Sequence, residues 1–475
     1  MNANFDCDVL VIGLGPAGMA VSAMSDALGL KVTAIEENKI GGECLNVGCI
    51  PSKALLKTAK MRQMTEHFEA MGLTAVGKPD ASNPFQRVRS VVKQVNEGKT
   101  TKMFEKLDLV LGKGSARFID SHTVEVEGVR KIRARKIFIC TGTKPHIPHI
   151  KGIDSIPVLT NDNLFELNHV PKSMLVIGGG AIGSEMGQAI SRLGAKVTIL
   201  NAASCLLPRA DSYAGELLCS EFKKEGIEVV NSSKIKEIIS IEDGLRIILE
   251  GGKSYEAEKL LVAAGREINF DKLNLEAAGI KYSKKSGILV DDFLRTSRKH
   301  IYAVGDCNGY RQFTHAAMHQ GMLALINAMS PTLFKKKYKN YVVPWSVFTE
   351  PEVSHTGFSE NELREMGIKY EVVHMDYADY GRSTADGSEI GFIRALLSKW
   401  GRIYGVTIVG EGSSEMIQEF SLAIQEKKRL SSILFLQHSF PTYSFMNKRI
   451  AETWLMNKVN NNFVKRMAKK ALRFF

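Results

Sequence analysis

The feature that most restricts the fold of this chain is a turn that occurs twice. Residues 8–38 read DVLVIGLGPAGMAVSAMSDALGLKVTAIEEN, and residues 173–204 read SMLVIGGGAIGSEMGQAISRLGAKVTILNAAS. Each opens with an apolar run, turns on Gly-x-Gly-x-x-Gly, passes through a small-residue helical stretch and returns to an apolar run. The turn glycines are Gly13, Gly15 and Gly18 in the first copy and Gly178, Gly180 and Gly183 in the second, 165 residues on. Glycines at this spacing permit a tight strand-to-helix turn and close approach of a pyrophosphate to the helix N-terminus. In both copies 23 residues separate the first glycine from the end of the second strand, which falls at Glu36 and at Asn201. Glu36 suits ribose hydroxyls. Asn201 binds a hydroxyl without repelling a 2′-phosphate, and Ala202, Ala203 and Ser204 bring no arginine. NADH and NADPH both stay open at the second site, with a lean to tolerating NADPH.

Two dinucleotide units on one chain imply a flavin and a nicotinamide, FAD and NAD(P)H, because electrons pass from one ring to the other. Three further stretches fit. IFICTGTKPHIP (137–148) carries Thr141 and Gly142, and LLVAAGREIN (260–269) carries Gly265 and Arg266. Each is a strand ending in a small-residue turn, as where a chain crosses between domains, and these four residues are candidate cofactor contacts. IYAVGDCN (301–308) ends a strand at Asp306, a candidate for the ribityl hydroxyls.

The chain is 475 residues long, 44% hydrophobic and 24% charged, which suits a multi-domain globular protein. No apolar stretch approaches the ~20 residues needed to cross a bilayer, and the N-terminus lacks the features of a signal peptide. An intracellular, cytoplasmic enzyme is expected, with its seven cysteines mostly reduced. Cys44 and Cys49 alone are close in sequence, separated by Leu-Asn-Val-Gly and followed by Ile50, Pro51, Ser52 and Lys53. This reads as a loop entering a helix, where the dipole and Lys53 stabilise a thiolate. Two structural cysteines, or half a metal site, are the alternatives; no second pair of zinc-like spacing exists, so no metal site is expected. Core packing is the default for the other five.

The stretch GGECLNVGCIPSK (41–53) closely resembles the redox-active signature of the pyridine nucleotide-disulfide oxidoreductases, the group of glutathione reductase, dihydrolipoyl dehydrogenase and mercuric reductase. The resemblance implies an α/β fold with two Rossmann-like domains and a C-terminal α+β dimerisation domain. Its boundaries would be an FAD domain in two parts, 1–150 and 271–340, an NAD(P) domain at 151–270, an interface domain at 341–456 and an extension at 457–475. It implies a redox-active Cys44–Cys49 disulfide, with Cys49 next to the flavin and Cys44 meeting the acceptor. Lys53 would lie beside the flavin, paired with Glu185 from the second glycine-rich unit. Gly42 and, in THAAMHQG (314–321), His315 join the candidate cofactor contacts. The partners implied are a second copy of the chain, whose tail completes each active site, and a small-molecule electron acceptor.

One segment departs from that pattern. Disulfide-reducing members carry His-Pro-Thr-x-x-Glu near the C-terminus, the histidine serving as acid/base and the glutamate orienting it. Here the stretch is LQHSFPTYSF (436–445), with Phe440 before Pro441 and Phe445 at the glutamate position. His438 lies two residues early, ~6–7 Å along an extended chain, and reads as structural. Phe440, Tyr443 and Phe445 either form an apolar wall for a quinone-like acceptor or fill the space the dyad left. Dihydrolipoyl dehydrogenase-like or mercuric reductase-like activity, or a catalytically retired flavin-binding interaction protein, remain alternatives.

The net charge is +12, and half of it lies in residues 457–475, with Lys458, Lys465, Arg466, Lys469, Lys470 and Arg473 and no acid. Phe463, Val464, Met467, Ala468, Ala471 and Phe475 recur there at helical spacing, which suits peripheral contact with an anionic membrane. No nucleic-acid motif accompanies this charge or the KKKYK run at 335–339.

Overall fold

A computed structural model describes residues 4–460 and 462–473. They form two compact units: one runs to Ala202 and adds Gly226–Tyr341, the other joins Ala203–Glu225 to the chain from Val342 onward.

The first unit contains the same sheet twice. Cys7–Ile12 pairs in parallel with Val32–Glu36 on one side and with Arg130–Ile139 on the other; Asp108–Leu111 and Ile301–Ala303 extend the two edges, also in parallel. In the second copy Ser173–Ile177 takes the central place between Lys196–Leu200 and Lys259–Val262, with Glu228–Val230 and Val158–Leu159 at the edges. Strands covered on both faces read as unbroken apolar runs: Leu10, Val11, Ile137 and Phe138 are fully buried, as are Met174, Val176, Ile199 and Leu260. Each copy also inserts an antiparallel meander before its fourth strand, Ala116–Phe118 with Thr123–Val126 and the start of Arg130–Ile139, and Ile235–Ile241 with Gly244–Leu249 and Ser254–Ala257.

The chain leaves the first sheet after Ile139 and returns after Val262. The two crossings run side by side as an antiparallel ribbon, Thr143–Pro145 against Arg266–Ile268. His146 Nδ1 lies 2.7 Å from a Glu267 carboxylate oxygen beside it.

The second unit is a five-stranded antiparallel sheet, ordered Trp345–Val347, Val353–Gly357, Ile403–Val409, Phe392–Leu397, Glu371–Asp376. Glu371–Asp376 alternates: Val373 and Met375 are buried, while Val372 and His374 face out. Helices Ser413–Gln425 and Phe445–Val459 supply Met416, Phe420, Met446 and Ile450 to the same core. Residues 203–225 group with this sheet. Arg394 donates to Asp211 Oδ2 at 2.5 Å, lies 3.0 Å from Glu360 and sits over the Tyr213 ring. Asp211 also caps the Ser212–Lys224 helix, accepting from the Tyr213 N–H.

Candidate redox site

The two glycine turns have the same backbone. Gly15 sits at φ −71°, ψ −173° and Gly180 at φ −77°, ψ −172°, each just before a helix, Pro16–Ala27 and Ala181–Arg192, and neither offers a side-chain cap. The first N–H groups of both helices thus lack the usual capping side chain. Gly13 and Gly178 have positive φ, and a β-carbon there would strike the carbonyl oxygens of Cys140 and Ala263. A β-carbon on Gly18 or Gly183 would meet a glycine carbonyl oxygen, whereas one on Gly15 or Gly180 would meet nothing within 4 Å. The outer glycines close the turn; the middle one leaves an open cradle before the helix start, where a phosphate group can approach the backbone.

Next to the first turn lies a cavity of about 960 Å³, near the top of the ~300–1,000 Å³ range of small-molecule sites. Gly13, Gly15, Glu36, Gly42, Cys44, Thr141, Gly142, Asp306 and Thr314 are among its walls. Two of these observations fit a dinucleotide: the cradle at Gly15, and the Thr141 hydroxyl, which is buried with no hydrogen-bond partner. Glu36, at 8% exposure, accepts from the Leu14 N–H at 2.7 Å and the Asn38 N–H at 2.8 Å, and burial pushes its carboxyl up. Burial also raises Asp306, whose Oδ2 accepts from Thr143 Oγ1 at 3.3 Å.

Three expected contacts sit differently. His315 is exposed and stacks on Phe313, while the cavity is walled by its neighbour Thr314 and by Ala317. Arg266 pairs with Glu43 and donates to Thr143 Oγ1 at 2.7 Å, so its guanidinium ties the ribbon to the start of the cysteine segment. Asn201 is buried and donates to Asn231 Oδ1 at 2.8 Å.

Cys44 lies on the short helix Gly42–Asn46 and Cys49 opens the 16-residue helix Cys49–Met64. The two sulfurs are unbridged and interact through a hydrogen bond. Cys49 Sγ is 3.3 Å from Thr314 Oγ1. The hydrogen bond with Cys44 is the main cause that lowers Cys49, against burial, and Thr314 and the Lys53 ammonium add to it; the same bond, with burial, pushes Cys44 up. The pair therefore holds one negative charge, on the sulfur at the helix start.

One turn along that helix Lys53 donates to Glu185 Oε2 at 2.8 Å; Glu185, from the helix after the second glycine turn, is only 7% exposed. The sequence thus brings Cys44, Cys49, Lys53 and Glu185 into one locus against the cavity wall. Thr314, absent from the expected site residues, carries no signal of its own in the sequence and stands next to the more conspicuous His315. Successive helical residues point ~100° apart, so only one of the two can face the cysteines.

In the second unit His438 is 6% exposed, its Nε2 3.1 Å from both Glu419 carboxylate oxygens and its Nδ1 3.3 Å from the Leu436 carbonyl oxygen. Asn447 donates to the same carboxylate at 2.8 Å. Phe445 is partly buried, its ring 6.1 Å from Tyr380 and edge-on to His438; Tyr443 donates to Asp386 at 2.9 Å. Phe440 is 72% exposed. Tyr443 and Phe445 fill space, and the exposed Phe440 ring packs edge-on against Phe445 at 5.3 Å.

Comparison with known proteins gives a family model described as pyridine nucleotide-disulphide oxidoreductase over residues 7–321 and the dimerisation domain of the same group over residues 343–449. A dihydrolipoyl dehydrogenase of Geobacillus stearothermophilus is 33% identical over 463 residues, 95% of this chain and 96% of its own length. A mercuric reductase of Lysinibacillus sphaericus is 32% identical over 431 residues, 88% of this chain and 77% of its own. Among solved structures, the HOCl-induced flavoprotein disulfide reductase RclA from Escherichia coli matches with a TM-score of 0.85 at 27% identity, over 94% of this chain and 99% of that one. A Cu(II) complex of RclA matches equally well, with a TM-score of 0.85.

Proposed function

Because this chain belongs to the pyridine nucleotide-disulphide oxidoreductases, flavoproteins that use FAD and NAD(P)H and pair through a dimerisation domain, we propose that it passes electrons from NAD(P)H through a Cys44–Cys49 disulfide to a small acceptor. When bound, FAD supplies the carrier that takes an electron pair from the nicotinamide and hands it to the disulfide. The chain's own residues do the rest. Gly15 and Thr141 hold one dinucleotide and Gly180 the other. Glu185 fixes the Lys53 ammonium one turn from Cys49, where its charge favours a thiolate. Cys44, kept protonated beside that thiolate, is the sulfur left to meet the acceptor.

Our reading of the acceptor is supported by the second unit. His438 is engaged by Glu419, and the residue before Pro441 is an exposed phenylalanine. This arrangement favours an acceptor that needs no proton from a tail histidine, such as a quinone or a thiophilic metal ion, over glutathione disulfide or lipoamide. The Cu(II) bound in an RclA structure supports including metal ions. A membrane-borne acceptor is also compatible with the C-terminal helix Asn462–Ala471, in which Phe463 and Met467 are 62% and 53% exposed beside Lys465, Arg466, Lys469 and Lys470. We place that helix on an anionic bilayer surface. Phe475, expected on its apolar face, lies outside the described residues.

The observation that carries the reading is the Cys44–Cys49–Lys53–Glu185 cluster. Its test is anaerobic reduction of the oxidised protein with NADPH or NADH, followed by alkylation and peptide mapping. Two new thiols should map to the peptide bearing Cys44 and Cys49, and Cys49→Ser should abolish the gain at Cys44. No new thiols with either nucleotide would remove the dithiol from the electron path.

A further inference from the structure

We propose that Cys205 and Cys219 form a second dithiol, which closes to a disulfide by exchange with a low-molecular-weight disulfide. Cys7, Cys140 and Cys307 are 2%, 6% and 0% exposed and serve as small apolar side chains in the sheet cores. Cys205 and Cys219 are only partly buried. One lies in the loop before the Ser212–Lys224 helix and the other within that helix, and both are in the second compact unit.

Gly215 brings them together. A β-carbon there would lie 2.4 Å from the Leu206 carbonyl oxygen, 3.3 Å from Cys205 Cβ and 3.4 Å from Cys205 Sγ, so the loop rests on bare helix. Cys219 follows one turn later on the same face. Helical side chains tilt toward the N-terminus and cover the preceding turn, so the Cys219 sulfur leans back over Gly215, where the Cys205 sulfur sits. Burial pushes the Cys205 thiol up, and the adjacent Cys219 adds to this against Ser204. In the proposed exchange Cys219, on the helix, attacks first.

The exchange balances as follows. The Cys219 thiolate attacks one sulfur of the small disulfide; that S–S bond breaks, a mixed disulfide forms and the departing thiolate takes up a proton. Cys205 loses its proton and attacks the Cys219 sulfur, forming the protein S–S bond and releasing the second small thiol. The protein pair gives up two electrons and two protons, and the small disulfide becomes two thiols. This site is independent of Cys44 and Cys49.

The experiment incubates the intact protein with glutathione disulfide, blocks remaining thiols and maps tryptic peptides without reduction. Cleavage at Arg209 separates Cys205 (peptide 197–209) from Cys219 (peptide 210–223). The expected result is one linked species, two hydrogens lighter than the sum of its parts, as the dominant form; Cys205→Ser should replace it with a glutathione adduct on Cys219. Closure of Cys44–Cys49 in the same digest shows that oxidation has occurred. If that pair has closed while 197–209 and 210–223 remain separate, as thiols or as individual glutathione adducts, the proposal is overturned.

Discussion

Thr314 acts on the dithiol through a single hydroxyl 3.3 Å from the Cys49 sulfur. It is one of the causes that lower Cys49, so the thiolate survives to more acid pH than an ordinary thiol's. Thr314→Val removes a hydrogen bond to a charged sulfur and should raise the Cys49 titration by ~1 unit, read from ultraviolet thiolate absorbance against pH. An unchanged titration would mean that Cys44 and Lys53 suffice. His438 gives the opposite kind of prediction. Its loss leaves the partly exposed Glu419 carboxylate with Asn447, so His438→Ala should cost about 1 kcal/mol of stability in denaturant unfolding. NAD(P)H-driven turnover with a quinone should survive; a collapse of turnover in a folded variant would restore His438 as a base. Residue identity was legible for Cys44, Cys49, Lys53 and Glu185, because signature and glycine repeat fix their spacing. For Phe440 and Phe445 it was not, since residue type does not tell which of two rings in contact is covered and which stays exposed.

At the scale of elements, the glycine turns separate folding from binding. A methyl on Gly18 or Gly183 would lie 1.9 Å from a carbonyl oxygen, but one on Gly15 or Gly180 enters empty space. Gly15→Ala should therefore fold with near-native stability and purify with much less FAD by visible absorbance, whereas Gly18→Ala should lower the melting temperature. Full flavin content in Gly15→Ala would place the pyrophosphate elsewhere. Strands and turns of both copies could be read from the sequence because buried parallel strands are continuous apolar runs. The two meanders could not, because short half-exposed strands such as Ala116–Phe118 carry too little pattern. The contacts of the Ser212–Lys224 helix also escaped the sequence. They join Asp211 and Tyr213 to Arg394 and Phe392, far along the chain.

For the whole molecule, the proposed membrane contact of the basic helix Asn462–Ala471 carries a prediction about ionic strength. Protein mixed with vesicles containing anionic phospholipid should co-sediment at low salt and release at about 1 M salt, where the screening length is only ~3 Å. Deleting residues 457–475 should abolish co-sedimentation while leaving the dimer intact by light scattering. Equal binding to neutral vesicles, or loss of the dimer on deletion, would assign the helix to protein packing instead. Among the described residues no helix is long and apolar enough to cross a membrane.

The ribbon of Thr143–Pro145 and Arg266–Ile268 has a mechanical consequence. Two covalent crossings join the nucleotide-binding sheets, and a single strand at such a joint would swivel about every bond. Two strands laced by backbone hydrogen bonds behave as a strip, soft to flexing across its face and stiff to torsion. Such a strip would resist rotation of one sheet about the other more than it resists flexing.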